Sequence, residues 1–266
     1  MNSPIVPDVQ AGRATDPSAE AAIHLEDVSV RYRAPQERLG SFKEYAIRRL
    51  QGQVRFADFY ALDGISLEVR QGEILGIVGR NGAGKSTLLK VVSRVLVPSR
   101  GRVRLRGRVS PLLELGAGFH PELTGRENVL LNGTLLGHTA RGLESRMEEI
   151  IDFAELGRFI DAPIRTYSSG MAARLGFAVA TAWRPEILLV DEVLAVGDEA
   201  FRAKCQTRMR AFRASGTTTL LVSHDSTTIL ALCENAVWLE RGKIRAHGLA
   251  AQVVEEYRAS RVPASV

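Results

Sequence analysis

Glu73-Ile74-Leu75-Gly76-Ile77-Val78, followed by Gly79-Arg80-Asn81-Gly82-Ala83-Gly84-Lys85-Ser86-Thr87, decides the fold. The first six residues form an apolar run of the length of a buried strand, and Lys85–Leu96 has the spacing of a helix. Between them, Gly79, Gly82 and Gly84 let the backbone wrap with its N–H groups turned inward, the way a chain cradles phosphate. The helix that starts there adds the positive end of its dipole. The segment fits the P-loop pattern in full, which arises by chance in roughly one chain of this length in a hundred. Strand, glycine turn and helix in this order imply an α/β unit that binds a nucleoside triphosphate. Lys85 would reach the β- and γ-phosphates, and Ser86 would ligate Mg²⁺.

Downstream, Ile187-Leu188-Leu189-Val190-Asp191-Glu192 is an apolar strand ending in two carboxylates. At the tip of such a strand Asp191 is placed to hold Mg²⁺, and Glu192 to polarise an attacking water. His224 follows a further apolar strand, Thr218–Ser223, at the carboxyl edge where ligands gather in open α/β sheets, and is a candidate γ-phosphate sensor.

Outward from this centre, Ile23–Tyr32 alternates like a half-buried strand and Ala61–Val69 reads as another. Between them lies a polar segment, Arg33–Phe59, in which Ser41 and Glu44 have capping-box spacing for a short helix. Arg102–Leu115 suggests short strands broken by Gly107 and Pro111. Gly125 to Arg158 is helical in pattern, interrupted near Gly137–Gly142. A helix is expected over Ser169–Trp183, where Ser168, Ser169 and Gly170 offer a hydroxyl and N–H groups at the N-terminus, sound chemistry for an anion. Thr227–Cys233 and Ala251–Ser260 read as helices, and Arg241-Gly242 as a hairpin turn.

The bulk numbers exclude several classes. The 266 residues, 45% hydrophobic and 24% charged, can bury one good core, and no apolar run is long enough to cross a bilayer. Residues 1–21 lack the basic start and apolar stretch of a secretory signal and read as a disordered leader. The net charge of +5 comes from scattered arginines; Arg102, Arg104, Arg106 and Arg108 alternate like the wet face of a strand pair, so no nucleic-acid partner is implied. Cys205 and Cys233 sit in helix-like segments and read as ordinary reduced residues.

Taken in order, the P-loop, Tyr167-Ser168-Ser169-Gly170-Met171, Asp191-Glu192, Asp198 and His224 resemble the motifs of the ABC ATPase family, over Ile23–Ser260. The resemblance implies an α/β fold, a P-loop NTPase (ABC ATPase) core with an antiparallel β subdomain and a helical signature subdomain at about 122–182. It also implies a head-to-tail homodimer in which Ser168, Ser169, Gly170 and Met171 of one copy reach the γ-phosphate bound by the other, with Asp198 as a further nucleotide-binding residue. An aromatic residue ahead of the P-loop stacks on adenine in this family; Tyr32 and Tyr60 are both candidates.

Four features resemble the ATPase subunits of bacterial polysaccharide exporters: Tyr-Ser-Ser-Gly-Met in the signature, Glu114 where relatives carry a Mg²⁺-contacting glutamine, Val193-Leu194-Ala195-Val196-Gly197-Asp198 after Glu192, and the Arg33–Phe59 insertion, expected as a helix near a membrane partner. The implied partner is a polytopic transmembrane permease subunit in two copies, which places the chain on the cytoplasmic side of the inner membrane. Too little sequence follows Gly248 for a glycan-gripping β-sandwich, so no direct glycan contact is expected. A subunit for another substrate is the near alternative. A soluble relative acting on nucleic acid or the ribosome would carry two cassettes or a long coiled coil, and this chain has neither.

Overall fold

The computed structural model describes residues 21–35, 56–112, 116, 118–191, 197–223 and 225–261. Two sheets organise them. The larger has the strand order β5 (Val109–Leu112), β6 (Ile187–Asp191), β7 (Thr218–Val222), β3 (Ile74–Val78), β8 (Asn235–Glu240), β9 (Lys243–Leu249). All pairings are parallel except β8 with β9. The smaller, antiparallel sheet runs β2 (Phe56–Arg70), β1 (Ala21–Pro35), β4 (Arg100–Leu105).

A parallel sheet is covered on both faces, which is why its strands read as continuous apolar runs rather than alternations. Leu75, Ile77, Ile187, Leu189, Leu220 and Val222 face the antiparallel sheet and helix α1 (Lys85–Val92). Their neighbours Val78, Leu188, Val190 and Leu221 face the helices on the other side. Leu88 and Leu89 of α1 are fully buried, a contribution of about 2 kcal/mol each.

On that second face lie α2 (Gly125–Leu135), α3 (Ala140–Ala154), α4 (Ser169–Ala180), α5 (Glu199–Ala214), α6 (Ser226–Leu232) and α7 (Ala250–Ala259). Phe153, Phe177 and Phe201 pack ring to ring at 5.7–6.3 Å and lock α3, α4 and α5 together. α2 opens with a capping box: Thr124 accepts from the Glu127 N–H, and Glu127 accepts from the Thr124 N–H, which holds its carboxyl below the usual range.

The polar segment expected from Arg33 to Phe59 is shorter than expected. β1 continues to Pro35 and β2 begins at Phe56, with Tyr32 opposite Phe59 and Arg33 opposite Asp58. Past the core a two-stranded ribbon can be polar on both faces, so the period-2 signal vanishes while the pairing persists. The expected helix around Ser41 and Glu44 lies outside the described residues. β1 also opens at Ala21, which is 4% exposed, at the last position expected to belong to the leader.

Of the arginine alternation, Arg102 and Arg104 stand on the exposed face of β4, where Arg104 pairs with Glu26 at 3.0 Å. Cys205 and Cys233 are buried free thiols, and burial pushes them up to about 11 and about 12.

Candidate nucleotide site

The turn between β3 and α1 is shaped by backbone sterics. Gly84, the N-cap of α1, has φ 108°, and a Cβ there would stand 2.5 Å from the Ala61 carbonyl oxygen. A Cβ on Gly79 would stand 2.4 Å from the Leu239 carbonyl oxygen. The loop is therefore threaded between β2 and β8 where only glycine fits. No side chain caps α1, so its first-turn N–H groups remain for an anionic ligand. The Lys85 ammonium donates to the carbonyls of Gly79, at 2.8 Å, and Arg80, at 3.2 Å, and the residue is 7% exposed. A lysine so enclosed by its own loop presents its charge at a fixed point.

β7 lies between β3 and β6, so the P-loop and Asp191 emerge at the same carboxyl edge. Ser86 Oγ is 3.4 Å from Asp191 Oδ2. A hydroxyl and a carboxylate oxygen at this spacing suit a hard divalent cation such as Mg²⁺. From this pair a cleft of about 860 Å³ runs past Asn81, Gly82 and Thr87 to Tyr32, Phe59 and Tyr60. Tyr32 stacks on Phe59 at 5.5 Å, and Tyr60 stands half exposed at the same rim. Both tyrosines thus reach the cleft. Among the described residues Arg80 engages through its carbonyl, and Ala83 is buried beneath the loop.

A second cleft, of about 470 Å³, is lined by Ser168, Gly170, Met171, Arg174, Asp198, Glu155 and Phe159. Ser168 caps α4 by accepting from the Met171 N–H at 3.2 Å. Asp198 caps α5, and the Phe201 N–H and then Arg174 hold its carboxyl below the usual range. Arg174 donates to Asp198 at 2.5 Å and to Glu155 at 3.5 Å, while its guanidinium lies over the Phe201 ring. Ser168, Gly170, Met171 and Asp198 are thereby brought together, with Ser169 beside them, apart from the P-loop cleft.

Glu114, Glu192 and His224 lie outside the described residues. Their neighbours are anchored. Asp225 accepts from the hydroxyls of Thr227 and Thr228 and from their N–H groups, which holds its carboxyl far below the usual range. The loop after β5 is held from α2: fully buried Asn128 donates to the carbonyls of His120, Leu123 and Thr124 and accepts from the His120 N–H. Sequence reasoning passed over Phe59, Asn128, Arg174 and Arg241. Only the strand register puts Phe59 beside Tyr32, and nothing local marks Asn128 or Arg174. Arg241 carried the one available signal, a hairpin turn; Thr124-x-x-Glu127 spelled out the capping box.

Comparison with known proteins agrees with this geometry. The ABC transporter family model matches residues 62–195. The chain is 47% identical over 247 residues to the O-antigen export system ATP-binding protein RfbB of Myxococcus xanthus, covering 91% of this chain and 56% of that protein. To the protein of that name from Klebsiella pneumoniae it is 51% identical over 200 residues, covering 75% of this chain and 81% of the relative. To the teichoic acids export ATP-binding protein TagH of Lactococcus lactis it is 46% identical, covering 75% and 43%. A dimeric ATP-binding cassette solved with ADP and Pi shares the fold at a TM-score of 0.66, with 22% identity over 86% of this chain and 98% of that one. Motif order, cleft geometry and kinship agree: the chain belongs to the ABC transporter family, as one of its ATP-binding cassettes.

Proposed function

We propose that two copies of this chain bind and hydrolyse two MgATP at a shared interface and so drive a membrane partner that exports a lipid-linked polysaccharide across the bacterial inner membrane. One observation carries the reading. The groups suited to phosphate are divided between two separate clefts, with Lys85 and Ser86 in one and the N-terminus of α4 in the other. The N–H groups of Ser169 and Gly170 then need a phosphate supplied from a second copy. The export names of the Myxococcus, Klebsiella and Lactococcus relatives support the cargo class.

In this reading Gly79–Thr87 of one copy faces Ser168–Met171 of the other. Lys85 holds the β- and γ-phosphates, and Ser86 and Asp191 hold Mg²⁺, with Glu114 as a further contact; the ion, when bound, offsets phosphate charge. Glu192 orients a water whose oxygen attacks the γ-phosphorus as the bond to the β-phosphate oxygen breaks, releasing ADP and phosphate. His224 meets the γ-phosphate, and the Glu114–Pro121 segment and the insertion around residues 36–55 transmit closure to the permease.

Glu192→Gln should bind ATP as the wild type does and lose nearly all turnover. Tagged and purified from native membranes with ATP in mild detergent, it should bring down a polytopic permease identifiable by mass spectrometry. Full turnover in the variant overturns the role of Glu192, and recovery of ribosomal proteins instead of a permease overturns the transport reading.

A further inference from the structure

The β8–β9 hairpin ends in a two-residue turn, Arg241-Gly242, closed by the pairing of Glu240 with Lys243. Both turn residues have positive φ, 48° at Arg241 and 79° at Gly242, the signature of a type I′ hairpin. Glycine suits its position. At the first position the local energetics favour asparagine, aspartate or glycine, and a long branched cation stands there against that preference. A residue kept in the left-handed region by its surroundings is a reason to look for a function.

The surroundings do hold it. The Gly242 N–H donates to the Ala83 carbonyl at 2.9 Å, and the Gly242 carbonyl accepts from the Asp63 N–H at 2.8 Å. A Cβ at 242 would come within 2.8 Å of the Ala61 oxygen. Asp63 is engaged by Lys243 at 3.1 Å. The turn is thus fastened to the P-loop on one side and to the strand bearing Tyr60 on the other. Arg241 lines the same cleft as Lys85, Ser86, Tyr32 and Tyr60, and no carboxylate among the described residues pairs with it.

We infer that Arg241 is a nucleotide-binding residue that holds the α-phosphate of the bound nucleotide from the β8–β9 hairpin. The inference rests on the reading of the cleft as the ATP site. A nucleotide stretched from Lys85 to the aromatic rim has its α-phosphate and ribose between them, beside the segment to which the hairpin is bolted. A guanidinium fork suits a phosphate better than an ammonium does.

Arg241→Asn separates the two properties. Asparagine is favoured in this turn, so the variant should melt at or above the wild-type temperature. It should nonetheless bind ATP, ADP and AMP roughly ten-fold more weakly, by displacement of a fluorescent ADP analogue. Adenosine, which has no phosphate, should bind unchanged. Arg241→Lys should recover part of the loss, and added salt should narrow the difference because the contact is solvent-exposed.

Lys85→Ala, measured alongside, tests the cleft itself. Weakened ATP binding in Lys85→Ala but not in Arg241→Asn overturns the role of Arg241 and leaves the cleft intact. Unchanged binding in both overturns the cleft reading. Equal losses for adenosine and AMP move the guanidinium to the base and overturn the phosphate contact.

Discussion

The P-loop cleft owes its shape to main chain pressed against main chain: Gly79 against Leu239, Gly84 against Ala61, Gly242 against Ala61 and hydrogen-bonded to Ala83. The signature cleft owes its shape to side chains that carry charge. Arg174 ties α4 to Asp198 and Glu155, and Lys204 ties α5 to Glu155 at 2.8 Å and to the Phe153 carbonyl at 3.1 Å. Farther along the same group of helices, His138 stacks on Trp183 at 3.9 Å, and the Arg146 guanidinium also lies over that ring. Steric constraint is indifferent to salt and pH; ion pairs at a half-exposed surface are not. One cleft is therefore rigid in itself, while the other is adjustable, as the proposed meeting with a second copy would require.

Three changes would break or sharpen this contrast. The largest effect is expected from Gly84→Ala, which forces a left-handed backbone on an alanine and drives its Cβ into the Ala61 carbonyl. A loss of about 2–4 kcal/mol in denaturant unfolding should follow, with nucleotide binding lost along with the loop. A wild-type midpoint would show that the loop is held by something other than sterics.

Arg174→Ala should spare ATP binding by the single chain yet cut turnover roughly ten-fold, by loosening Asp198 and the first turn of α4. Its signature as a positioning residue is salt. Raising ionic strength should depress wild-type turnover toward that of the variant while leaving the variant little changed. Equal salt responses in both would remove Arg174 from the account.

The smallest effect belongs to His138. Burial, then Arg108 and Arg146, push its imidazole below the usual range, so below about pH 6.5 the unfolded chain takes up a proton that the folded chain resists. Stability should therefore fall as the pH drops below about 6.5, and His138→Phe, which keeps the stacking, should flatten that slope. A slope that persists in the variant places the titration elsewhere. The depressed carboxylates of Asp198 and Asp225 act in a lower window. Their contribution is present above about pH 4, the ordinary aspartate value, and fades only as the pH drops below it.

How legible each region was in the sequence follows from the same contrast. A glycine loop between a buried strand and a helix is a local object, because φ restrictions and the order of elements act within a few residues. The strands β3, β6 and β7 were equally legible, since burial on both faces writes itself as an unbroken apolar run. α5 was poorly legible because only Phe201, Cys205 and Phe212 of its sixteen residues are buried, too sparse a stripe for the helical period to stand out.

The sequence by itself determined the phosphate loop, Asp191 at the tip of its strand, and the Ser168 cap of α4, because each depends on neighbours in the chain. Tertiary structure alone decided that Phe59 joins Tyr32, that Arg174 ties α4 to Asp198, and that Arg241 lines the P-loop cleft. These meetings span 27 positions, 24 positions and, from Lys85 to Arg241, 156 positions along the chain. Strand register and the packing of elements bring such residues together, and no spacing within one segment can encode them.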